Sequence, residues 1–296
     1  MLLIRRTCLF ALCGLLVAVA LQSRWTANAA ELPAAVSSVY VRVPHDAPAG
    51  RPIQVLVALH GMGGAGDQFA SDLIAQADRN HWLLVAPTIA YGDWTDPVQV
   101  AREDPALIHW LSDYLDTLPT QVGLPLRPRV LLLGHSRGAQ LAHRFALFQP
   151  HRVLAVAAVA AGTYTLPAET GPQGGLLRFP FGLGDMASVW GQPFDRAHLV
   201  EGAQFWVGVG TADNNSAELP RAWDPYIGAS RVERAAAFQK ALHAAGAQSV
   251  LVEFRGARHV FTAEMANSAC AFLRGLDLAQ SEPLPASTLH QPHPHA

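Results

Sequence analysis

Short apolar runs alternate with longer mixed segments along most of the chain, and their two periods can be told apart. Ser38–Val43 (SVYVRV) switches between apolar and polar at each step, as a strand with one wet face does. Ile53–His60, Arg129–Gly134, Val153–Ala160 and Gln204–Gly210 are fuller apolar runs, the pattern of strands covered on both faces. Trp82–Pro87 and Ser249–Phe254 read as two further strands. Between them the period lengthens. A helical stretch runs from about Asp67 to Asn80. In the next, Asp104 is a good N-cap and Pro105 suits the first helical position, with apolar residues at helical spacing from Ala106 to Leu118. Arg137–Pro150 is a helix stopped by its proline. Ser230 and Glu233 form a capping box that opens a helix to Ala245, with Gly246 as its stop, and Thr262–Leu276 is the last helix. Strands alternating with helices predict an α/β fold: a central, mostly parallel sheet flanked by helices on both faces, in one domain spanning residues 30–276. About forty residues after Ala160 show little regular pattern.

Composition agrees with a globular chain. Half of the 296 residues are apolar and 15% are charged, enough for one large core. The N-terminus is different in kind. MLLIRR precedes an unbroken apolar run, Cys8–Leu21, and Ala27-Asn28-Ala29 fits a small-x-small cleavage site. The run is shorter than the roughly 20 residues of a spanning helix, so residues 1–29 are expected to be a cleaved export signal. Arg5-Arg6 leaves the twin-arginine route open. Cleavage would remove Cys8 and Cys13, leaving Cys270 without a disulfide partner. It would also remove Arg5, Arg6 and Arg24, taking the net charge from −2 to near −5. With no basic run, neither nucleic acid nor an anionic membrane is an expected partner. The mature protein is expected to be secreted or periplasmic, without stable membrane insertion. Residues 277–296, ending in HQPHPHA, read as a flexible tail.

One motif carries chemistry. VLLLGHSRGAQL, Val130–Leu141, places Ser136 between a strand and a helix, flanked by Gly134 and Gly138. A serine on such an elbow is held in a strained conformation, and side chains beside it would collide with neighbouring backbone. The alternative is an ordinary glycine-rich turn. Gly61–Gly66 (GMGGAG) lacks the Lys-Ser/Thr ending of a Walker loop, and phosphate is not expected there. No H-E-x-x-H motif or cysteine pair is present, so neither metal nor cofactor is expected.

LHGMGG, GHSRGA, GTADNN and GARHVF, in that order, resemble the α/β-hydrolase superfamily, and more narrowly its exported esterase branch with feruloyl-esterase and polyhydroxybutyrate-depolymerase relatives. The similarity spans about Val39–Leu276. It implies the α/β-hydrolase fold and a triad in the order Ser, acid, His. Ser136 is then the nucleophile. Asp213, on the turn after QFWVGVG, is the expected acid. Asp224 is its main rival; Asp185 and Asp195 lie in the irregular segment. His259, on the loop after the last strand, is the expected base, and His243 falls inside a helix. The backbone amides of Arg137 and, by the family pattern, Met62 are the expected oxyanion donors. Residues 162–200 are a possible cap, and loop aromatics Trp94, Phe179, Phe181 and Trp190 are candidate substrate contacts. The implied activity is a serine hydrolase that cleaves small-molecule or polymeric carboxylic esters. A non-catalytic binding protein on the same fold, a serine peptidase and an acyltransferase are the alternatives, and oligomeric state is open.

Overall fold

Strand β2 (Val55–Leu59) is apolar at every position because both of its faces are covered. Successive side chains on a strand point to opposite faces. Val55, Val57 and Leu59 accordingly join one core, and Leu56 and Ala58 join another. A computed structural model describes residues 34–46 and 50–281; the expected export signal and the histidine-rich end lie outside them.

Seven strands form one sheet in the order β1-β3-β2-β4-β5-β6-β7. They are β1 (Val36–Arg42), β2, β3 (Leu83–Ile89), β4 (Val130–His135), β5 (Val153–Val159), β6 (Gln204–Gly210) and β7 (Ser249–Phe254). Only β1 is antiparallel, running against β3 at the edge; the other pairings are parallel. The carboxyl ends of β2 to β7 therefore lie along one side of the sheet, where such folds bind ligands.

Helices cover both faces. On one side lie α3 (Pro97–Val122), α4 (Arg137–Phe148) and α8 (Arg231–Ala245), contributing Leu111, Phe145 and Phe238 to the core. On the other lie α1 (Gly66–Ser71), α2 (Ile74–Arg79) and α9 (Ala263–Ser281), contributing Phe69, Ala77 and Leu273. The expected capping box is present at α8: the Glu233 amide donates to Ser230 Oγ, and the Glu233 carboxylate accepts from the Ser230 amide.

Several boundaries differ from expectation. The first predicted helix is split into α1 and α2, with fully buried Leu73 between them. Helix α3 begins eight residues before Pro105, capped by Asp96 with Pro97 at its first turn. Asp104 is thus an interior residue, its carboxylate drawn inward by Arg137 and Arg144. Helix α9 continues past Leu276 to Ser281, so the tail does not start at Asp277. Asp277 is held instead, accepting from Trp82 Nε1 at 2.9 Å and from Arg127 at 2.8 Å.

The segment 162–200 contains α5 (Met186–Trp190) and all but the last residue of α6 (Arg196–Glu201). It packs along α4, from the first turn, where Thr163 Oγ1 donates to Gln140 Oε1, to the last. Phe179 and Trp190 both meet Phe148 edge-on, and Thr165 donates its amide to His143.

Candidate active site

Ser136 sits between β4 and α4 with φ 53°, a conformation that a non-glycine residue adopts only under constraint. The constraint is visible. The Ser136 amide donates to the Val159 carbonyl at 2.8 Å. A methyl group on Gly138 would run into the Leu59 carbonyl oxygen, and one on Gly134 into the Gly138 carbonyl. Both glycines allow α4 to leave the sheet tightly enough to turn the serine outward.

Two further strand ends supply the neighbours. Asp213 follows β6 on a turn closed by its own amide bonding to Gly210, and His259 follows β7. His259 Nδ1 lies 2.8 Å from Asp213 Oδ2, and Nε2 lies 2.9 Å from Ser136 Oγ. With Nδ1–H donating to the carboxylate, Nε2 is left to accept from the hydroxyl. Burial pushes the Asp213 carboxyl upward, but the His259 hydrogen bond and the Arg231 charge outweigh it and hold it below the usual range. At neutral pH it is an anion facing the ring.

The turn after β2 passes directly beside the serine: a side chain on Gly61 would lie 3.3 Å from Ser136 Cβ. The Met62 and Arg137 amides have no acceptor among the described residues. The Arg137 amide also opens α4, where the helix dipole favours negative charge. The Arg137 side chain points the other way, wholly buried beneath Tyr91 and paired with Glu103 and Asp104.

The glycine spacing of Gly61–Gly66 does match a dinucleotide fingerprint, a coincidence the sequence alone leaves standing. The surroundings differ from such a site. Helix α1 has only six residues, its Gly66 amide is taken by Thr88 Oγ1, and the turn is packed against Ser136.

Ser136 and His259 open into a cleft of about 460 Å³ whose walls include His60, Met62, Gln68, Phe69, Asp72 and His135. Met62 is 46% exposed at its rim. None of the residues 162–200 lines this cleft. Phe179 and Trp190 pack on α4, Trp190 also stacks on His109, and Phe181 packs on Trp223 and Tyr226. Trp94 lies against Gly162, just past β5, and is likewise absent from the cleft wall.

The rival side chains are engaged elsewhere. Asp224 pairs with Arg221 and Arg234, Asp185 accepts from the Phe179 amide, and Asp195 caps α6. His243 faces the Ser249 carbonyl. Sequence reasoning passed over three neighbours of the site. His135 stacks on His259 with ring centres 5.3 Å apart, and burial pushes its pKa down to about 3, keeping it neutral. Its place immediately before Ser136 was a signal. Arg231, which pairs with Asp213 from behind, and Glu218, which pairs with Arg231, had none.

A family model described as "alpha/beta hydrolase fold" matches residues 54–183. No curated protein matches the chain. Among solved structures, poly(aspartic acid) hydrolase-1 from Sphingomonas sp. KT-1 is 21% identical with a TM-score of 0.57, over 79% of this chain and 91% of that one. LpqC, a poly(3-hydroxybutyrate) depolymerase from Bordetella parapertussis, is 24% identical with a TM-score of 0.56, over 84% and 85%. Esterase PE8 is 17% identical with a TM-score of 0.53, over 82% and 99%. Strand order, the elbow at the end of β4 and these likenesses lead to one conclusion: the chain has the α/β-hydrolase fold.

Proposed function

We propose that this protein is a serine hydrolase that cleaves uncharged carboxylic esters through an acyl-enzyme, and that it works outside the cytoplasm after loss of residues 1–29. The observation that carries the reading is the continuous chain from Ser136 Oγ through His259 to Asp213, at 2.9 and 2.8 Å, beside two unengaged amides. A serine hydroxyl is a weak nucleophile at neutral pH, so His259 Nε2 takes its proton as Oγ attacks the ester carbonyl carbon. The new oxyanion is stabilised by the Met62 and Arg137 amides, each worth about 3 kcal/mol at the transition state. Collapse breaks the bond to the alkoxy oxygen, which leaves as the alcohol with the proton from His259. Water, deprotonated by the same ring, then attacks the acyl-enzyme, releasing the acid and restoring the Ser136 hydroxyl.

The cleft wall supports an uncharged substrate. It contains one carboxylate, Asp72, and no lysine or arginine side chain, so a polyanion such as poly(aspartic acid) would meet repulsion without a counter-charge. A hydroxyacid polyester or a small neutral ester meets none. Hydrolysis of p-nitrophenyl esters of graded chain length tests the reading. The wild type should turn them over with a preference that sizes the cleft, and Ser136→Ala should not. Undiminished turnover by Ser136→Ala overturns the assignment.

A further inference from the structure

Asp213 Oδ1, the oxygen facing away from His259, accepts from Arg231 Nη1 at 2.8 Å and from no other donor among the described residues. Both partners are sealed from solvent, with side chains 3% and 2% exposed. Arg231 occupies the first turn of α8, where the helix dipole disfavours a cation. Glu218, 53% exposed, stands 3.3 Å from the same Nη1 and is steadied by Asn215 Nδ2 at 2.8 Å. A buried cation set against a helix dipole persists only with strong compensation, and two carboxylates provide it. One of them is the acid of the proposed triad.

We propose that Arg231 is a positioning residue for that triad: it locks the Asp213 carboxylate onto His259 and, with Glu218 as its partial counterweight, sets the pH at which the base becomes competent. The inference rests on the triad reading given above. Held at Oδ1 by one guanidinium, the carboxylate cannot rotate away from Nδ1. The positive charge also opposes the field by which Asp213 favours the protonated ring. The remaining groups facing this cluster change little between pH 5 and 9. His135 from β4 is kept neutral by burial, and the Tyr164 phenol past β5 is pushed far up by burial. Arg234 on α8 is paired with Asp224 at 2.7 Å. Arg258, next to His259 on its loop, is exposed.

The test is the pH profile of kcat/KM on a p-nitrophenyl ester for Arg231→Met, Arg231→Lys and Glu218→Gln. The acid limb reports protonation of the base. Removing the unit charge on the far side of Asp213, in a partly buried site, should move that limb to higher pH by about one unit in Arg231→Met. The plateau should fall roughly tenfold as Asp213 loses its hold. Arg231→Lys keeps the charge and should hold the limb near that of the wild type. Glu218→Gln leaves Arg231 less compensated and should move the limb the other way, by a few tenths of a unit because Glu218 is half in water. An Arg231 with only a structural role would lower Tm and leave every limb in place. Unmoved limbs, or limbs displaced in the same direction by Arg231→Met and Glu218→Gln, overturn the proposal. Should Arg231→Met fail to fold, the other two variants decide the matter. Fluorophosphonate labelling of wild-type Ser136 separates the two levels: labelling with unmoved limbs refutes Arg231 alone, and absence of labelling refutes the triad.

Discussion

Asp104 offers the sharpest stability test. Its side chain is 0% exposed and shared by two fully buried arginines: Arg137, which follows Ser136, and Arg144, whose Nη1 lies 2.5 Å from Oδ2. Burial alone would push the carboxyl up, but the two guanidinium charges and their hydrogen bonds hold it below its usual value. Asp104→Asn keeps the shape and removes the charge. Arg137 then retains Glu103, while Arg144 retains only the Thr163 and Thr165 hydroxyls, and one positive charge is left buried without compensation. Breaking a buried pair in this way costs about 4 kcal/mol. At roughly 3 °C per kcal/mol for a chain of this size, Tm should fall by about 12 °C. The pH dependence has a fixed sign. A carboxyl whose folded pKa is depressed contributes its full stability above the unfolded value of about 3.9 and loses it as pH falls through the lower folded value. The gap between wild type and variant should therefore be widest near neutrality and narrow below about pH 4. Urea denaturation at pH 7 and at pH 3 to 4 measures both quantities. A loss under about 1 kcal/mol at pH 7, or a gap that persists unchanged in acid, would refute the reasoning.

Other expectations follow from the same geometry. Asp213→Asn should lower kcat by about four orders of magnitude with the fold intact, because His259 is left in the wrong tautomer. Asp224→Asn, which unpairs Arg221 and Arg234 instead, should leave kcat within a few-fold; steady-state kinetics of the two variants distinguishes these carboxylates. Gly138→Ala forces a methyl into the Leu59 carbonyl and should destabilise by about 2 kcal/mol or more while reducing turnover, read by urea titration and by rate. Phe179→Ala should cost about 3 kcal/mol of stability and leave the chain-length preference unchanged, since Phe179 packs on Phe148; a changed preference would return it to the substrate site.

The legible parts of the fold were those where local chemistry and tertiary role coincide. Strands β2 and β5 are apolar throughout, and β4 up to its closing His135, because both faces are covered, and an unbroken apolar run announces that directly. The capping box at Ser230 and Glu233 and the stop at Gly246 are local chemistry, and they read correctly. The start of α3 did not. Two Asp-Pro pairs stand in this stretch, at Asp96 and Asp104, and both have the form of a helix start. What separates them is Arg137 and Arg144, 33 and 40 residues further on, which draw the second aspartate into the interior. The same limit applies to the aromatics. Phe179, Phe181 and Trp190 have the hydrophobicity of a lid and of a core alike, and only their packing on Phe148, Trp223 and His109 distinguishes the two. At the site, order along the chain singled out Ser136, Asp213 and His259, because each follows a strand of a parallel sheet and those strand ends share one edge. Arg231 was illegible because it stands on a helix, 18 residues from Asp213, with nothing nearby to mark its target.

The central claim is that Ser136 is activated to form a covalent acyl-enzyme. Intact-protein mass spectrometry after treatment with a fluorophosphonate, followed by peptide mapping, tests it most directly. One adduct per chain, mapped to Ser136, lost in Ser136→Ala and strongly slowed in His259→Ala, is the predicted result. An unmodified wild type, or an adduct that persists in Ser136→Ala, would contradict the account.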